Sequence, residues 1–296
     1  YSLGRGCRGA TGCLGSPTEP FSITRVEKMP NQLIVAFLLS AVIVALALWR
    51  GSLSQSGAVG ALFVGTLILG VGGWTWGILL GIFFVSSTLL SHYKEKEKEG
   101  AAEKFEKGHR RDIAQVMANG GLGATVALLS AVVPSSLWFP LFMGSMATVT
   151  ADTWATELGT LSRQPPRLIT TGRPVEAGTS GGVSRLGTGV SLLGGLLIGL
   201  AAGLLVDRLT VVEAAIIGTA SGLIGSLFDS LLGATLQQVY YCDVCQKETE
   251  RKIHRNGHQT RPLRGWSWLK NDLVNFIASF VGGATAVGLY RLLTSG

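Results

Sequence analysis

The chain is broken at short intervals by runs of apolar residues that approach or exceed the roughly 20 residues a helix needs to cross the hydrocarbon core of a bilayer. Eight such runs are read, at 33–49, 57–72, 74–91, 114–133, 137–158, 187–206, 211–237 and 273–293. Only a turn at Gly72, Gly73 and Trp74 divides the second from the third, so the defensible count is six to eight. Backbone in lipid finds no water for its N–H and C=O groups, and runs this dense must therefore be helices packed on one another. The expected fold is all-α: a polytopic helical membrane protein with eight spans. Composition agrees, with charged residues at 15% of 296, 41 glycines and a mean hydropathy of +0.39. Those values exclude a disordered chain, a collagen, and most soluble enzymes. Four cysteines are too few for a disulfide framework.

Lys and Arg collect in three places, with seven in 92–112, four in 163–185 and seven in 247–270, or 18 of the chain's 25. Eight spans put all three stretches on one face, which the positive-inside bias makes cytoplasmic, with both ends outside. The expectation is a multi-pass protein of the cell membrane. The same placement explains the net charge of +7 without a nucleic-acid partner, which would need a continuous basic groove. The alternating Lys/Glu run at 94–99 reads as a solvated helical extension. Residues 1–28 begin with Tyr1, are rich in Gly, Ser and Arg, and lack the apolar stretch of a signal peptide. They are expected to be an extension outside the fold, with the membrane domain at 29–296 beginning from Met29.

Ionisable residues inside spans are costly, and each one is informative. Asp152 and Glu157 fall in the fifth span and Asp229 two-thirds along the seventh. Asn119 in the fourth, and Asp272 and Asn275 at the start of the eighth, reach the same depth. Carboxylates and amides from four spans thus converge beside the three polar loops, as a wet cavity or a bound cation requires. For Asn119 or Asn275 alone, a structural interhelical hydrogen bond is an equal reading. On an ideal helix Asp152 and Glu157 point about 140° apart, which disfavours a simple acid–base pair. Asp152 and Asp229 are instead assigned to a divalent ion, and Glu157 to a basic loop residue. Gly222, Gly225, Ser226, Asp229 and Gly233 share one small-residue stripe that admits a helix or a ligand at close range.

Two loops carry further chemistry. The segment TTGRPVEAGTSGGVSR interleaves Gly178, Gly181 and Gly182 with Thr179, Ser180, Arg173 and Arg185. Flexible backbone, hydroxyls and guanidinium forks suit phosphate, although the Walker A spacing and its Lys are absent. A helix beginning near Gly187 would add its N-terminus. In 238–272, Cys242 and Cys245 form C-x2-C, and His254 and His258 follow as H-x3-H after eight intervening residues. Four ligands of these types suit a closed, tetrahedral and structural Zn2+ site in a small knuckle. A redox pair, or no special role, are the other readings.

The segments SHYKEKEKEGAAEKFEKGHRRDIAQVMANGG, DTWATELGTLS, TTGRPVEAGTSGGVS, GSLFDSLLGATLQ and NDLVN resemble the transmembrane protein 19-like (domain of unknown function 92) family of integral membrane proteins, over about 50–290. That family includes a plant phytyl-phosphate kinase. The resemblance implies a kinase adding a second phosphate to an isoprenoid monophosphate such as phytyl or geranylgeranyl phosphate, with CTP or another nucleoside triphosphate as donor. A looser likeness links the acidic helix, glycine loop and second acidic helix to the polyprenol kinase and phosphatidate cytidylyltransferase group.

On this reading Asp152 and Asp229 hold Mg2+, while Arg173, Arg185 and the Thr179–Ser180–Gly181–Gly182 stretch cradle donor phosphates. Lys104, Lys107, Arg110, Arg111 and Asp112 grip the acceptor phosphate. Asn119 orients a phosphate, and Asp272 and Asn275 complete the phosphate site. The alternative from another class is a transporter of an ion or a phosphorylated lipid, which would place the same carboxylates near the midplane. A scaffold with a zinc knuckle would leave them unexplained.

Overall fold

In a computed structural model the described residues are 23–106, 110–254 and 257–294, so most of the expected N-terminal extension, and Lys107, lie outside them. Nine α-helices are described. They are α1 (Ile23–Trp49), α2 (Gln55–Leu67, continued by a π-turn at Ile68–Gly72), α3 (Trp74–His92), the short α4 (Glu95–Ala102), α5 (Ile113–Val132), α6 (Trp138–Gly159), α7 (Arg185–Leu205), α8 (Val211–Thr235) and α9 (Asn271–Thr294). The eight long helices coincide with the eight apolar runs. The first begins at Ile23, ahead of Met29, and runs on through it.

Seven of the eight are long and apolar enough to span a bilayer on their own, and α6 is the exception. Its position explains why. Helix α6 packs against α3, α5, α7, α8 and α9, and Phe142 through Ala151 are continuously buried. A helix screened from lipid by its neighbours can carry Ser145, Thr148, Thr150 and Asp152 where a lipid-facing one could not. Small residues let the helices approach to backbone distance, the usual driving geometry in membranes. On α6, Thr148 Oγ1 donates to Gly144 O (2.9 Å) and reaches Ser221 O on α8 at 3.1 Å. A Cβ at Gly282 of α9 would collide with that same Thr148 hydroxyl.

The alternation of the helices brings the loops at 50–54, 93–112, 160–184 and 236–270 to one end of the bundle. There the chain departs from helix. A two-stranded antiparallel ribbon, β1 (Arg167–Leu168) with β2 (Gly182–Val183), frames the glycine-rich loop. A three-stranded antiparallel sheet lies between α8 and α9, with β3 (Val239–Cys242) between β4 (Lys247–Thr249) and β5 (Arg261–Arg264). The loop at 50–54 is stitched to the start of α5 by Ser54 N–H to Arg111 O (3.0 Å) and Arg111 N–H to Ser52 O (3.1 Å).

Candidate active site

The polar ends of α3, α5, α6, α7, α8 and α9 surround a cavity of about 290 Å³. Its wall includes Asn119, Asp152, Glu157, Asp229, Asp272 and Asn275 from the helices, Thr179, Ser180, Gly181 and Gly182 from the glycine-rich loop, and Arg111 from the head of α5. Residues spread over 165 positions of sequence meet here because α5, α7 and α9 enter the bundle at this face while α3, α6 and α8 leave it. Three helix N-termini therefore border the site, and the positive ends of their dipoles favour anions. Ser184 caps α7, accepting from Gly187 N–H at 3.0 Å.

The carboxylates are not equivalent. Glu157 is fully engaged: Ser91 Oγ donates to its Oε1 (2.6 Å) and the buried Lys98 ammonium donates to its Oε2. The same ammonium donates to Leu90 O (2.8 Å) and Ser91 O (3.1 Å), capping the last turn of α3. Lys98 is thus 4% exposed rather than part of a wholly solvated extension, whereas Lys94 and Glu97, paired at 3.0 Å, face solvent. Asp152 accepts one hydrogen bond, from Ser226 Oγ at 3.2 Å, in a relay in which Ser191 Oγ donates to Ser226 Oγ (3.1 Å). Asp229 lies within electrostatic reach of both Asp152 and Glu250. Its Oδ2 is buried and has no hydrogen-bond partner among the described residues. Among the described residues neither Asp152 nor Asp229 is ion-paired. A buried carboxylate oxygen with no donor is expensive unless something outside the chain satisfies it. Hard oxygen donors in an uncompensated pair fit a divalent cation such as Mg2+.

Several expected phosphate ligands stand elsewhere, and their assignment is corrected. Lys104 is buried beneath the glycine-rich loop, held by Glu176 (2.8 Å) and donating to Thr179 Oγ1 (3.2 Å). Its ammonium keeps the Glu176 carboxyl below the ordinary range, so Lys104 shapes the loop from behind. Arg110 turns away and donates to Gly51 O at 3.3 Å. Asp112 is the N-cap of α5 in a reciprocal capping box with Gln115. Arg173 is exposed in the turn beyond β1, and Arg185 is exposed at the start of α7 beside a separate shallow depression. The Gly182 N–H, expected to face phosphate, is committed to Thr179 O at 2.9 Å. Arg111 remains on the cavity wall, its guanidinium lying over the rings of Phe83 (5.6 Å) and Phe84 (5.8 Å).

Other residues join the site without having been singled out from sequence. Glu250, just beyond β4, reaches the cavity. It accepts from Ser180 Oγ (2.9 Å), Gln237 Nε2 (2.6 Å) and Glu106 N–H (3.2 Å). Burial, only partly offset by these donors, raises its pKa above the ordinary value. Arg264 of β5 donates to Gly233 O (2.8 Å) and Ala234 O (2.7 Å) at the end of α8 and reaches Ser180 O at 3.3 Å. It ties the glycine-rich loop to the acidic helix. Gly181 sits where that contact is tightest, at φ +84°, with Ala234 N about 2.5 Å from where a Cβ would stand. Lys98, Glu250 and Arg264 all lie in stretches whose charge density reads as surface; only the fold turns them inward.

A bundle of membrane-length helices with a carboxylate-lined polar cavity at one end defines a multi-pass integral membrane protein. The comparisons make this specific: the chain belongs to the family described as integral membrane protein DUF92, whose model matches residues 38–283. It is 31% identical over 280 residues to Protein PGR of Arabidopsis thaliana, covering 86% of this chain and 94% of that one. An uncharacterised membrane protein of Methanocaldococcus jannaschii is 33% identical over 263 residues, covering 88% and 96%. Protein VTE6, chloroplastic, of Arabidopsis thaliana is 30% identical over 279 residues, covering 92% of this chain and 74% of that protein. No solved structure matches the chain significantly.

Proposed function

We propose that this protein is a membrane phosphotransferase that moves the terminal phosphoryl group of a nucleoside triphosphate, CTP being the expected donor, to an isoprenoid monophosphate such as phytyl or geranylgeranyl phosphate. The reaction face is the cytoplasmic side of the cell membrane. The observation that carries the reading is the buried Asp229 Oδ2, unsatisfied among the described residues, on the polar cavity it shares with Asp152. The resemblance to a family that includes a plant phytyl-phosphate kinase supplies the substrate class.

An oxygen of the acceptor monophosphate attacks the terminal phosphorus, the bond from that phosphorus to its bridging oxygen breaks, and a prenyl diphosphate and a nucleoside diphosphate leave. The acceptor is already anionic and needs no strong base, so positioning and charge neutralisation dominate. Asp152 and Asp229 would hold Mg2+, which supplies charge neutralisation of the phosphates when bound. Phosphates would otherwise meet a wall richer in carboxylates than in cations. Ser226 and Ser191 orient Asp152; Arg111, fixed by Phe83 and Phe84, presents a fork to a phosphate; Asn119 and Asn275 offer amide donors. The N-termini of α7 and α9 add oriented N–H groups. The position of the cavity at the helix ends favours this reading over a transporter's midplane site.

The test is label transfer by the purified full chain in nanodiscs, offering γ-labelled CTP, ATP, GTP and UTP with phytyl, geranylgeranyl and farnesyl monophosphates, with and without Mg2+. Label in a prenyl diphosphate is expected, and its loss in Asp229→Asn. Absence of transfer for every pair, from folded protein, refutes the kinase and leaves transport of a phosphorylated lipid or ion.

A further inference from the structure

The cysteine–histidine cluster on the three-stranded sheet takes no part in the proposed phosphoryl transfer. Cys242 ends β3 and Cys245 lies in the turn that leads into β4, where Cys242 pairs with Lys247. In that turn Cys245 N–H donates to Cys242 Sγ at 3.4 Å, and Gln246 adopts φ +52°. His254, 5% exposed, brings its Nδ1 to 3.6 Å from Cys245 Sγ. The two sulfurs and one imidazole nitrogen lie within 4.8 Å of one another. Zinc bonds of about 2.3 Å to sulfur and 2.05 Å to nitrogen, opened to a tetrahedral angle, place S and N about 3.6 Å apart. The spacing of Cys245 Sγ and His254 Nδ1 is therefore that of two ligands sharing one zinc.

His258 is outside the cluster, against the four-ligand set expected from the H-x3-H spacing. The chain turns at Gly257 (φ +79°), with Gly257 N–H donating to His254 O (2.9 Å) and His254 N–H to His258 O (2.8 Å). This tight hairpin leaves the His258 side chain exposed.

The segment between ligands Cys245 and His254 is the one that reaches the candidate active site. Glu250 lies near its middle, with its carboxylate on Ser180, Gln237 and the Glu106 N–H. Its own N–H donates to Lys104 O at 2.9 Å, and Thr249 Oγ1 donates to the same carbonyl at 3.1 Å. We propose that Cys242, Cys245 and His254 bind one Zn2+, and that this ion clamps both ends of the segment that presents Glu250 to the cavity. The site binds a thiophilic divalent cation and is distinct from the hard-oxygen site of Asp152 and Asp229. A metal bound by the folded sheet stabilises it by its binding free energy, and its removal loosens what it spans.

The experiment uses the full chain purified in detergent without added metal or chelator, and it does not depend on any transfer activity. Metal per chain is measured by elemental mass spectrometry. Close to one zinc per chain is expected in the wild type and in His258→Ala, and a small fraction of that in His254→Ala and in Cys242→Ser. Should a variant fail to fold, mercurial modification of wild-type thiols in the presence of a zinc-binding dye must release the same single equivalent. Hydrogen exchange is then compared with and without zinc: faster exchange on removal is expected in 245–254 and in the loop around Ser180, with α6 and α8 unchanged. Three results overturn the proposal: folded protein that neither carries nor takes up zinc, including one with Cys242 and Cys245 joined as a disulfide; zinc retained in His254→Ala; or zinc lost equally in His258→Ala. Exchange around Ser180 that ignores zinc overturns the clamp.

Discussion

The ion pair between Lys98 and Glu157 offers a test of how the polar face is held together. The side chains are 4% and 19% exposed, and both oxygens of Glu157 are used, one by Lys98 and one by Ser91. Lys98→Met removes the ammonium while preserving its apolar stem. It leaves the Glu157 charge with one hydroxyl donor and strips a cap from Leu90 O and Ser91 O at the end of α3. Breaking one partner of a buried pair costs about 3–5 kcal/mol, and the partial exposure of Glu157 argues for the lower end, about 3 kcal/mol. Glu157→Gln keeps an acceptor for Ser91 and leaves Lys98 its two carbonyls but orphans the more deeply buried charge, so its cost is comparable, about 3 kcal/mol. The double variant contains no orphaned charge on Glu157, and should be less damaged than the single costs add up to, by about 1.5–2 kcal/mol. Unfolding in mixed micelles titrated with a denaturing detergent, followed by tryptophan fluorescence, gives all three values. Additive losses, or a Lys98→Met variant as stable as the wild type, would refute the buried pair.

Asp229→Asn and Asp152→Asn should each lower Mg2+-dependent transfer by at least about 100-fold. Neither should reduce stability, because neither carboxylate is ion-paired among the described residues; near-normal turnover in either removes that residue from the metal site. Gly181→Val, at φ +84° and against the backbone of Ala234, should cost about 2 kcal/mol or more and detach the glycine-rich loop, read as faster exchange around Ser180 with the helices intact. Glu250 is held above the ordinary glutamate value of 4.5 by burial. Its folded form binds the proton more tightly than its unfolded form, so its contribution to stability is present below pH 4.5 and lost as pH rises through the raised midpoint. Glu250→Gln should flatten that stretch of the stability–pH curve, and an unchanged slope in thermal scans would show the carboxylate to be solvated.

Apolar run length and the distribution of Lys and Arg were enough to read eight membrane helices and a common polar end, because lipid imposes a nearly one-dimensional rule on the chain. That Asp152, Asp229, Asn119, Asp272 and Asn275 share one level of the bundle was legible for the same reason: an ionisable or amide group within an apolar run is conspicuous, and helix rise fixes its place along the helix. Direction within a polar loop was not legible. Arg173 and Arg185 looked like phosphate ligands beside Gly181, yet the β1–β2 ribbon and the start of α7 turn them to solvent, while Lys98, in a stretch that reads as solvated charge, is buried, and Glu250, in another, is half-buried. The C-x2-C and H-x3-H spacings suggested four residues brought together; Cys242, Cys245 and His254 are, whereas the turn at Gly257 leaves His258 exposed. Helix α6, with Asp152 and Glu157, is the least apolar of the eight and lies at the centre of the bundle. Sequence thus determined how far along its helix axis each charged or amide group stands, since burial in lipid penalises charge whatever the partners. Tertiary structure alone decided which way the side chains face around that axis, because only packed neighbours such as Ser226, Lys98 and Arg264 determine which charges are paired and which remain open to a ligand.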